Sequence, residues 1–342
     1  MEAVTRVQNL AESKLPHVPA QYIQPLHDRP TTQNSSLNIP VIDLSTPGDF
    51  LRGALCGACR EWGAFHVTNH SVPLEVLRRM RRHGRSFFEE TPMPDKLKYS
   101  CDLTSAASEG YGSKMLVSKN DTVLDWRDYF DHHTLPLSRR NPRNWPESPS
   151  DYRRTVEEYS DQMNALAERV LGLISESLGL KRDYFKDLVG EFYQNITVSY
   201  YPACPQPELT LGLQSHSDFG VITLLIQDDV GGLQVLKDGE WVTVEPLDDA
   251  IVVLLSDQTQ VITNGEYISA IHRAITNPNK ARLSVATFHD PAKTVKISPA
   301  SELVSESSPR RYRDVVYGDY VSSWYTKGPE GKRNLDALLL NS

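Results

Sequence analysis

The sequence predicts a mixed α and β fold, a double-stranded β-helix (jelly roll) core with flanking helices. Three observations predict it. Between Gln194 and Val295 short β-branched and aliphatic runs recur: ITVSYY, VITLLI, GLQVL, WVTVE, AIVVLL, QVIT, RLSVATF and TVKI. They are too short for helices and are separated by Gly, Asp-Asp and Asn-Gly turns, the pattern of a double-sheet barrel with an open mouth. Ahead of them, apolar residues fall at three- and four-residue steps, which is helical spacing. A chain of 342 residues with 39% hydrophobic content is long and apolar enough for a substantial core, and it contains no internal repeat. The expected organisation is a helical and β region over 1–190, a jelly-roll core over 191–300 and a helical C-terminal segment over 301–342.

Val4 to Leu15 has the spacing of a short amphipathic helix, and proline-punctuated chain follows to Pro40. Ile39 to Leu44 reads as the first strand. Asp49 to Glu61 places Leu51, Leu55 and Ala58 on one helix face, and Phe65 to His70 reads as the next strand. Leu74 to Glu90, opening after Pro73, is a helix carrying the basic run RRMRRHGR. Glu89, Glu90 and Asp95 follow at once, so this run is a solvated helix face instead of a nucleic-acid patch. Ser108 to Phe130 mixes glycines, aromatics and short apolar runs, as a loop or hairpin near a pocket does. Ser148-Pro149 supplies an N-cap and a first-turn proline for the longest helix. Its stripe of Tyr152, Val156, Tyr159, Met163, Leu166, Val170, Leu173 and Leu178 runs to a stop at Gly179 and suits packing on a sheet. The tail from Pro309 reads as helical, with Gly328 to Lys332 as a loop and Leu335 to Leu340 as a last apolar anchor.

Lys and Arg number 36 against 44 Asp and Glu, a net charge of -8, which gives no overall attraction to nucleic acid or anionic membrane. A small-molecule partner is therefore expected. No window approaches the roughly 18–20 apolar residues that span a bilayer, and the N-terminus lacks a basic segment followed by an apolar run. These features point to the cytoplasm, with the nucleus as a second compartment. Cys56 and Cys59 form a CxxC inside a helical pattern, where burial on a helix face is the simpler reading than redox chemistry.

Chemistry concentrates in LQSHSDFGVITLLIQDDVGGLQV, from Leu213 to Val235. On an extended backbone His216 and Asp218 share a face, so they can converge on one point. His272 is the candidate third ligand. Two imidazoles and one carboxylate on one side of an ion leave the opposite positions open, as in non-haem Fe(II) oxygenases. Beyond them, Arg282 and Ser284 form another i, i+2 pair, suited to gripping a carboxylate. His66 and His70 on a strand stand about 13 Å apart, which excludes a shared metal. His132, His133 and His289 have no comparable support as ligands.

The ordered set of His216-x-Asp218, His272 and Arg282-x-Ser284, with Tyr200-Tyr201-Pro202-Ala203-Cys204-Pro205-Gln206-Pro207 and EWGAFHVTNHSVP, closely resembles plant Fe(II)/2-oxoglutarate-dependent dioxygenases. The likeness covers nearly the whole chain. It implies that His216, Asp218 and His272 hold iron. It further implies that 2-oxoglutarate binds through its keto oxygen and one carboxylate, with its far carboxylate on Arg282, Ser284 and the Tyr201 hydroxyl. Dioxygen is the second co-substrate and ascorbate the reductant. Ser199 stands where many members have the asparagine of Asn-Tyr-Tyr-Pro, another co-substrate position. A monomer is implied as well.

The nearest branch contains anthocyanidin synthase, flavonol synthase and the jasmonate hydroxylases; RVQNLAESKLPHVPAQYIQP and GPEGKRNLDALL look most like the jasmonate side. Thr197 and Tyr325 occupy the positions of the arginines with which jasmonate hydroxylases hold their substrate's carboxylate. A lysine and a glutamate of anthocyanidin synthase align with Thr197 and Asp290. The expected substrate wall is Tyr129, Thr197, Phe288, Asp290 and Tyr325. Hydroxylation of a flavonoid or other phenolic metabolite is the leading expectation. A jasmonate-type acid as substrate, or a non-catalytic jelly-roll binding protein, are the alternatives.

Overall fold

The computed structural model describes residues 6–30, 37–102, 108–113, 123–327 and 333–340. The N-terminal half supplies α1 (Val7–Glu12), β1 (Val41–Asp43), α2 (Gly48–Glu61), β2 (Ala64–Thr68), α3 (Leu74–Glu89), α4 (Met93–Leu97), β3 (Gly110–Gly112), β4 (Asp128–Leu135), α5 (Tyr152–Ser177) and α6 (Tyr184–Val189). The β-rich half follows with β5 (Tyr193–Tyr201), β6 (Leu213–His216), β7 (Ile222–Gln227), β8 (Leu233–Lys237), β9 (Glu240–Thr243), β10 (Ile251–Leu255), α7 (Asp257–Ile262), β11 (His272–Ala274), β12 (Arg282–Asp290) and β13 (Lys296–Ile297). The chain closes with β14 (Val315–Val316), α8 (Tyr317–Lys327) and α9 (Arg333–Asp336).

An eight-stranded sheet in the order β1-β2-β10-β7-β12-β5-β4-β3 and a four-stranded sheet in the order β6-β11-β8-β9 form the two walls of the jelly roll. Strands from the N-terminal region extend the large sheet at both edges, so residues 1–190 and 191–300 share one continuous sheet. On β5 and β12, alternate residues sort by chemistry. Val198, Leu283 and Val285 point to the helical side, where they join the buried α5 stripe of Tyr152, Val156, Tyr159, Met163, Leu166 and Val170. Burying one such side chain contributes about 1.5–3 kcal/mol, so this layer anchors the sheet firmly. Gly84 lets α3 approach: a Cβ there would stand 2.8 Å from Val198 Cγ1. The opposite faces of β5 and β12 are left for the cavity between the sheets.

Several expectations shift at this level. QVIT, read as a strand, lies in α7; Ser256 precedes that helix in extended conformation, and Val261 and Ile262 pack in the core from it. Tertiary burial outweighs the β-branched preference of so short a run. The longest helix starts at Tyr152, not at Ser148, with the Tyr152 N–H donating to the Pro149 carbonyl at 2.9 Å in the preceding turn. The Asp151 side chain does not cap it, because that carboxylate lies 3.1 Å from His83 Nε2. The basic run of α3 is indeed a paired surface: Arg78 meets Asp249, Arg79 meets Glu158, Arg82 meets Glu75 and Arg85 meets Glu89 and Asp228. Cys59 is fully buried on α2, and all four cysteines are free thiols. His70 serves hydrogen bonding at the strand end, its Nε2 lying 2.9 Å from the Asp249 carbonyl and its Nδ1 accepting the Val72 N–H at 3.1 Å. Leu335 and Leu338 are buried as the C-terminal anchor, whereas Leu339 and Leu340 are exposed. Gly328 to Lys332 lies outside the described residues. Among the described residues, no helix is long and apolar enough to cross a membrane.

Candidate active site

β6 ends at His216, which lies directly opposite His272 at the start of β11. Asp218 is not on a strand. It sits in the turn after β6, where Thr223 Oγ1 donates to its Oδ2 at 2.6 Å and its carbonyl accepts the Asp257 N–H at 2.8 Å. The period-two reason for convergence therefore fails, although the convergence itself holds. Asp218 Oδ1 lies 3.5 Å from His216 Nε2 and 3.7 Å from His272 Nε2, and the three ligand atoms are mutually within 4.8 Å. Metal–ligand bonds of about 2.0–2.2 Å separate neighbouring donors by about 3–4 Å, so the trio fits one ion. Among the described residues this is the one His/Cys/Asp/Glu group able to hold a metal.

Orientation supports the same use. His216 Nδ1 is 2.8 Å from the Gln214 carbonyl and His272 Nδ1 is 3.0 Å from the Ala270 carbonyl. Each Nδ1–H thus donates to backbone, which leaves each Nε2 lone pair facing Asp218. Burial raises the proton affinity of the Asp218 carboxyl, but the two imidazoles and the Thr223 hydroxyl outweigh it and hold the group at about 2. Burial, reinforced by His216, pushes His272 down to about 4, so it is a neutral donor. At His216 the Asp218 carboxylate outweighs burial and raises the proton affinity.

The register of β4, β5, β12 and β7 arranges the inner wall in rows. Tyr201 pairs with Arg282; Tyr129, Ser199, Ser284 and Gln227 form the next row; Asp131, Thr197, Ala286 and Leu225 the one after; then Asn195, Phe288 and Thr223. Arg282 is buried at the closed end, its Nη1 donating to Ser284 Oγ and its Nη2 to Gln227 Oε1, both at 3.3 Å. Its guanidinium carbon lies 4.8 Å over the Tyr201 ring, and its Nε has no partner among the described residues. A buried fork with an unfilled donor and only long bonds to neutral groups fits an arriving carboxylate. Burial raises the Tyr201 phenol pKa, but Arg282 and Arg127 outweigh it and the net shift is downward. Gly212 makes room for that ring: a Cβ would come within 2.5 Å of Tyr201 Cδ1.

Tyr129, Thr197, Ser199, Phe288 and Tyr325 all line the cavity together with the three metal ligands, Tyr201, Arg282 and Ser284. Asp290 does not. It lies on the same strand face one step beyond Phe288, but it is wedged against Gly220, where a Cβ would stand 2.0 Å from its Oδ1. Its carboxyl is buried beside Tyr317, away from the wall it was assigned to.

Sequence reasoning missed Phe219, Trp324, Arg127, Asp131 and Asn195, which also line the cavity. Phe219 packs edge-on against Trp324 at 5.1 Å, and Trp324 against Tyr325 at 5.3 Å, so the turn between β6 and β7 and helix α8 close one aromatic corner. Asp131 was legible by parity, being two residues from Tyr129 in β4, whereas Arg127 lies just ahead of that strand. Thr197 Oγ1 donates to Asp131 Oδ1 at 2.8 Å, and burial pushes that carboxyl up to about 7. A carboxyl whose folded pKa is raised contributes stability that is full below its unfolded value near 4 and is lost as pH rises through about 7. In urea unfolding of the metal-free protein, Asp131→Asn should therefore remove on the order of 1–3 kcal/mol of the stability that the parent loses between pH 5 and pH 8. Parallel pH slopes for the two proteins would show that Asp131 is ionised when folded.

Comparison with known proteins agrees with this geometry. Residues 192–291 match the 2OG-Fe(II) oxygenase superfamily, and residues 39–148 match the N-terminal family described as non-haem dioxygenase in morphine synthesis. Jasmonate-induced oxygenase 4 of Arabidopsis thaliana is 40% identical, with 99% of this chain and 98% of the relative covered. Oxoglutarate-dependent flavonoid 7-O-demethylase 1 of Ocimum basilicum is 37% identical over 99% of this chain and 92% of its own. The crystal structure of JOX2 in complex with 2OG, Fe and JA superposes with a TM-score of 0.91 at 39% identity, covering 99% of both chains. The facing histidines, the carboxylate between them and the buried guanidinium are thus the working parts of a known chemistry: the chain belongs to the 2OG-Fe(II) oxygenase superfamily and is a dioxygenase dependent on Fe(II) and 2-oxoglutarate.

Proposed function

We propose that this enzyme hydroxylates a neutral or phenolic planar metabolite, a flavonoid or a related phenol, presented to the metal between the aromatic corner and the polar strip of β4 and β5. The single observation that carries the substrate class is the make-up of the cavity. Phe219, Phe288, Trp324 and Tyr325 offer ring surfaces, while Asp131 on β4 and Asn195 and Thr197 on β5 offer hydrogen bonds along one face of the sheet. Thr197 and Tyr325 bring no charge to the positions where jasmonate hydroxylases carry arginines, so an acid bound in that manner would lack its counter-ions.

In this reading His216, Asp218 and His272 hold Fe(II), and Arg282, Ser284 and Tyr201 take the far carboxylate of 2-oxoglutarate. Bound together, iron and 2-oxoglutarate supply the oxidising power: dioxygen is consumed, 2-oxoglutarate leaves as succinate and carbon dioxide, and the substrate gains one oxygen. The chain's own contribution is positional. The backbone carbonyls of Gln214 and Ala270 fix the two imidazoles, Thr223 fixes Asp218, and the aromatic corner sets which substrate hydrogen faces the ion. We also read the division of labour as scaffold over 1–190, chemistry over 191–300 and a closing segment over 301–342, in a cytoplasmic monomer with no nucleic-acid or membrane partner.

The test incubates purified protein with Fe(II), ascorbate and 2-oxoglutarate against separate pools of flavonoids, simple phenols and jasmonate-type acids, following succinate and product mass together. A product heavier by one oxygen from a phenolic pool, with matching succinate, is expected; turnover confined to the acids would overturn the substrate class. Once a substrate is found, Phe288→Ala should raise its KM by about 10-fold or more, since losing a buried aromatic contact costs about 1.5–3 kcal/mol, and should leave the KM for 2-oxoglutarate within about two-fold. Equal damage to both would show that Phe288 supports the whole cavity and not the substrate alone.

A further inference from the structure

Two cations in the cavity wall, Arg127 and Arg273, have no role in the reading above; Arg273 is taken up by Gln234, the Asp28 carbonyl and the Trp241 ring. Arg127, on the segment leading into β4, is only 4% exposed. Its guanidinium carbon lies 5.2 Å over the Tyr129 ring, its Nη1 reaches Ser199 Oγ at 3.4 Å, and its Nε has no partner among the described residues. A guanidinium carries five donors, and meeting so few of them among the described residues is costly inside a protein. The neighbouring Asp125 feels the charge of Arg127 but is not within ion-pair distance of it; Asp125 Oδ1 accepts the Gln214 N–H at 3.0 Å instead. The charge is therefore placed for something that enters the cavity.

Position narrows what that is. Ser199 lies between Tyr129 and Ser284, in the row beside Tyr201 and Arg282. Arg127, just ahead of β4, and Arg282, at the start of β12, flank β5, so their guanidinium groups meet the cavity on either side of the Tyr201–Ser199 strand, Arg282 over the Tyr201 ring and Arg127 at Ser199 Oγ. The segment carrying Arg127 is tied to the metal side of the cavity: the Trp126 N–H donates to the Leu211 carbonyl at 2.8 Å, and Asp125 binds Gln214, two residues before His216. Ser199 is also where the chain departs from the amide of the resembling dioxygenases, and a serine hydroxyl is shorter and offers a single donor.

We propose that Arg127 is a binding residue for the metal-side end of 2-oxoglutarate, supplying through its guanidinium and Ser199 the polar contact that an asparagine amide would otherwise give. This rests on Arg282 as the anchor of the far carboxylate, and the experiment separates the two. Mn(II)-loaded protein, free of oxygen, is titrated calorimetrically with 2-oxoglutarate and with oxalate, which can chelate the metal but has no far carboxylate. Arg127→Met should weaken both ligands by at least 10-fold. Arg282→Met should weaken 2-oxoglutarate alone, and failure of that arm would count against the anchor and not against Arg127. Adding Ser199→Asn to Arg127→Met should bring 2-oxoglutarate back to within about three-fold of the parent. Binding of both ligands within two-fold of the parent in Arg127→Met, loss of 2-oxoglutarate alone, or loss of both with no rescue would each overturn the proposal. Circular dichroism and Mn(II) stoichiometry verify the variants, and Arg127→Gln, expected to weaken both ligands in the same direction, replaces the methionine variant should that one not fold.

Discussion

His216→Ala should purify folded, bind no stoichiometric iron and turn over at least about 10³-fold more slowly than the parent. Changes to residues that merely orient metal ligands typically cost 10–100-fold in affinity or activity, and here a ligand itself is removed. Only one imidazole and one carboxylate would remain at a site whose donors now lie mutually within 4.8 Å. Apart from its Nδ1 bond to the Gln214 carbonyl, the polar and ring contacts of the His216 side chain among the described residues are with its fellow ligands Asp218 and His272, and β6 is paired to β11 through backbone, so the fold does not depend on the ring. The check has two independent readouts. Mn(II) should raise the melting temperature of the parent through preferential binding to the folded state and leave that of His216→Ala unmoved. Metal analysis should agree with it. A variant that still took up one equivalent of metal and turned over within 10-fold of the parent would remove His216 from the ligand set.

How much of this was legible beforehand depended on whether a feature is local or made by pairing. The strands of the core were visible because a short β-branched run bounded by glycine is a local signal. QVIT failed because Val261 and Ile262 are buried by tertiary packing that the run itself does not encode. The metal trio was legible as a residue set, yet its geometry comes from the β6–β11 register and from the turn held by Thr223, neither of which a spacing rule contains. Asp290 was misplaced for the opposite reason: parity with Phe288 was correct, but Gly220 closes against it and the cavity ends two residues earlier, at Phe288. Phe219 and Trp324 were missed because they are remote in sequence and meet only when α8 folds over the mouth. Arg127 was overlooked because an isolated arginine in sequence reads as surface, and only burial to 4% exposure reveals its cost.

The second large effect belongs to Arg282. Arg282→Met should weaken 2-oxoglutarate by about 100-fold while leaving metal binding intact, because truncating one side of a buried, charge-assisted pair costs about 2–5 kcal/mol. Methionine fills much of the volume beside the Tyr201 ring and Gly232, whose added Cβ would come within 3.3 Å of Arg282 Cδ, so packing changes less than charge does. Arg282→Lys keeps the charge and loses the fork, and it should fall between the two, since an ammonium cannot hold both carboxylate oxygens in one plane. Ser284→Ala removes one neutral hydroxyl and should cost about 10-fold at most. The order matters more than any single figure. If Ser284→Ala weakened 2-oxoglutarate more than Arg282→Met did, the carboxylate would lie along the strand and not on the guanidinium. If Arg282→Met bound 2-oxoglutarate nearly as well as the parent, the unfilled Nε of Arg282 would have to be explained by something other than the co-substrate.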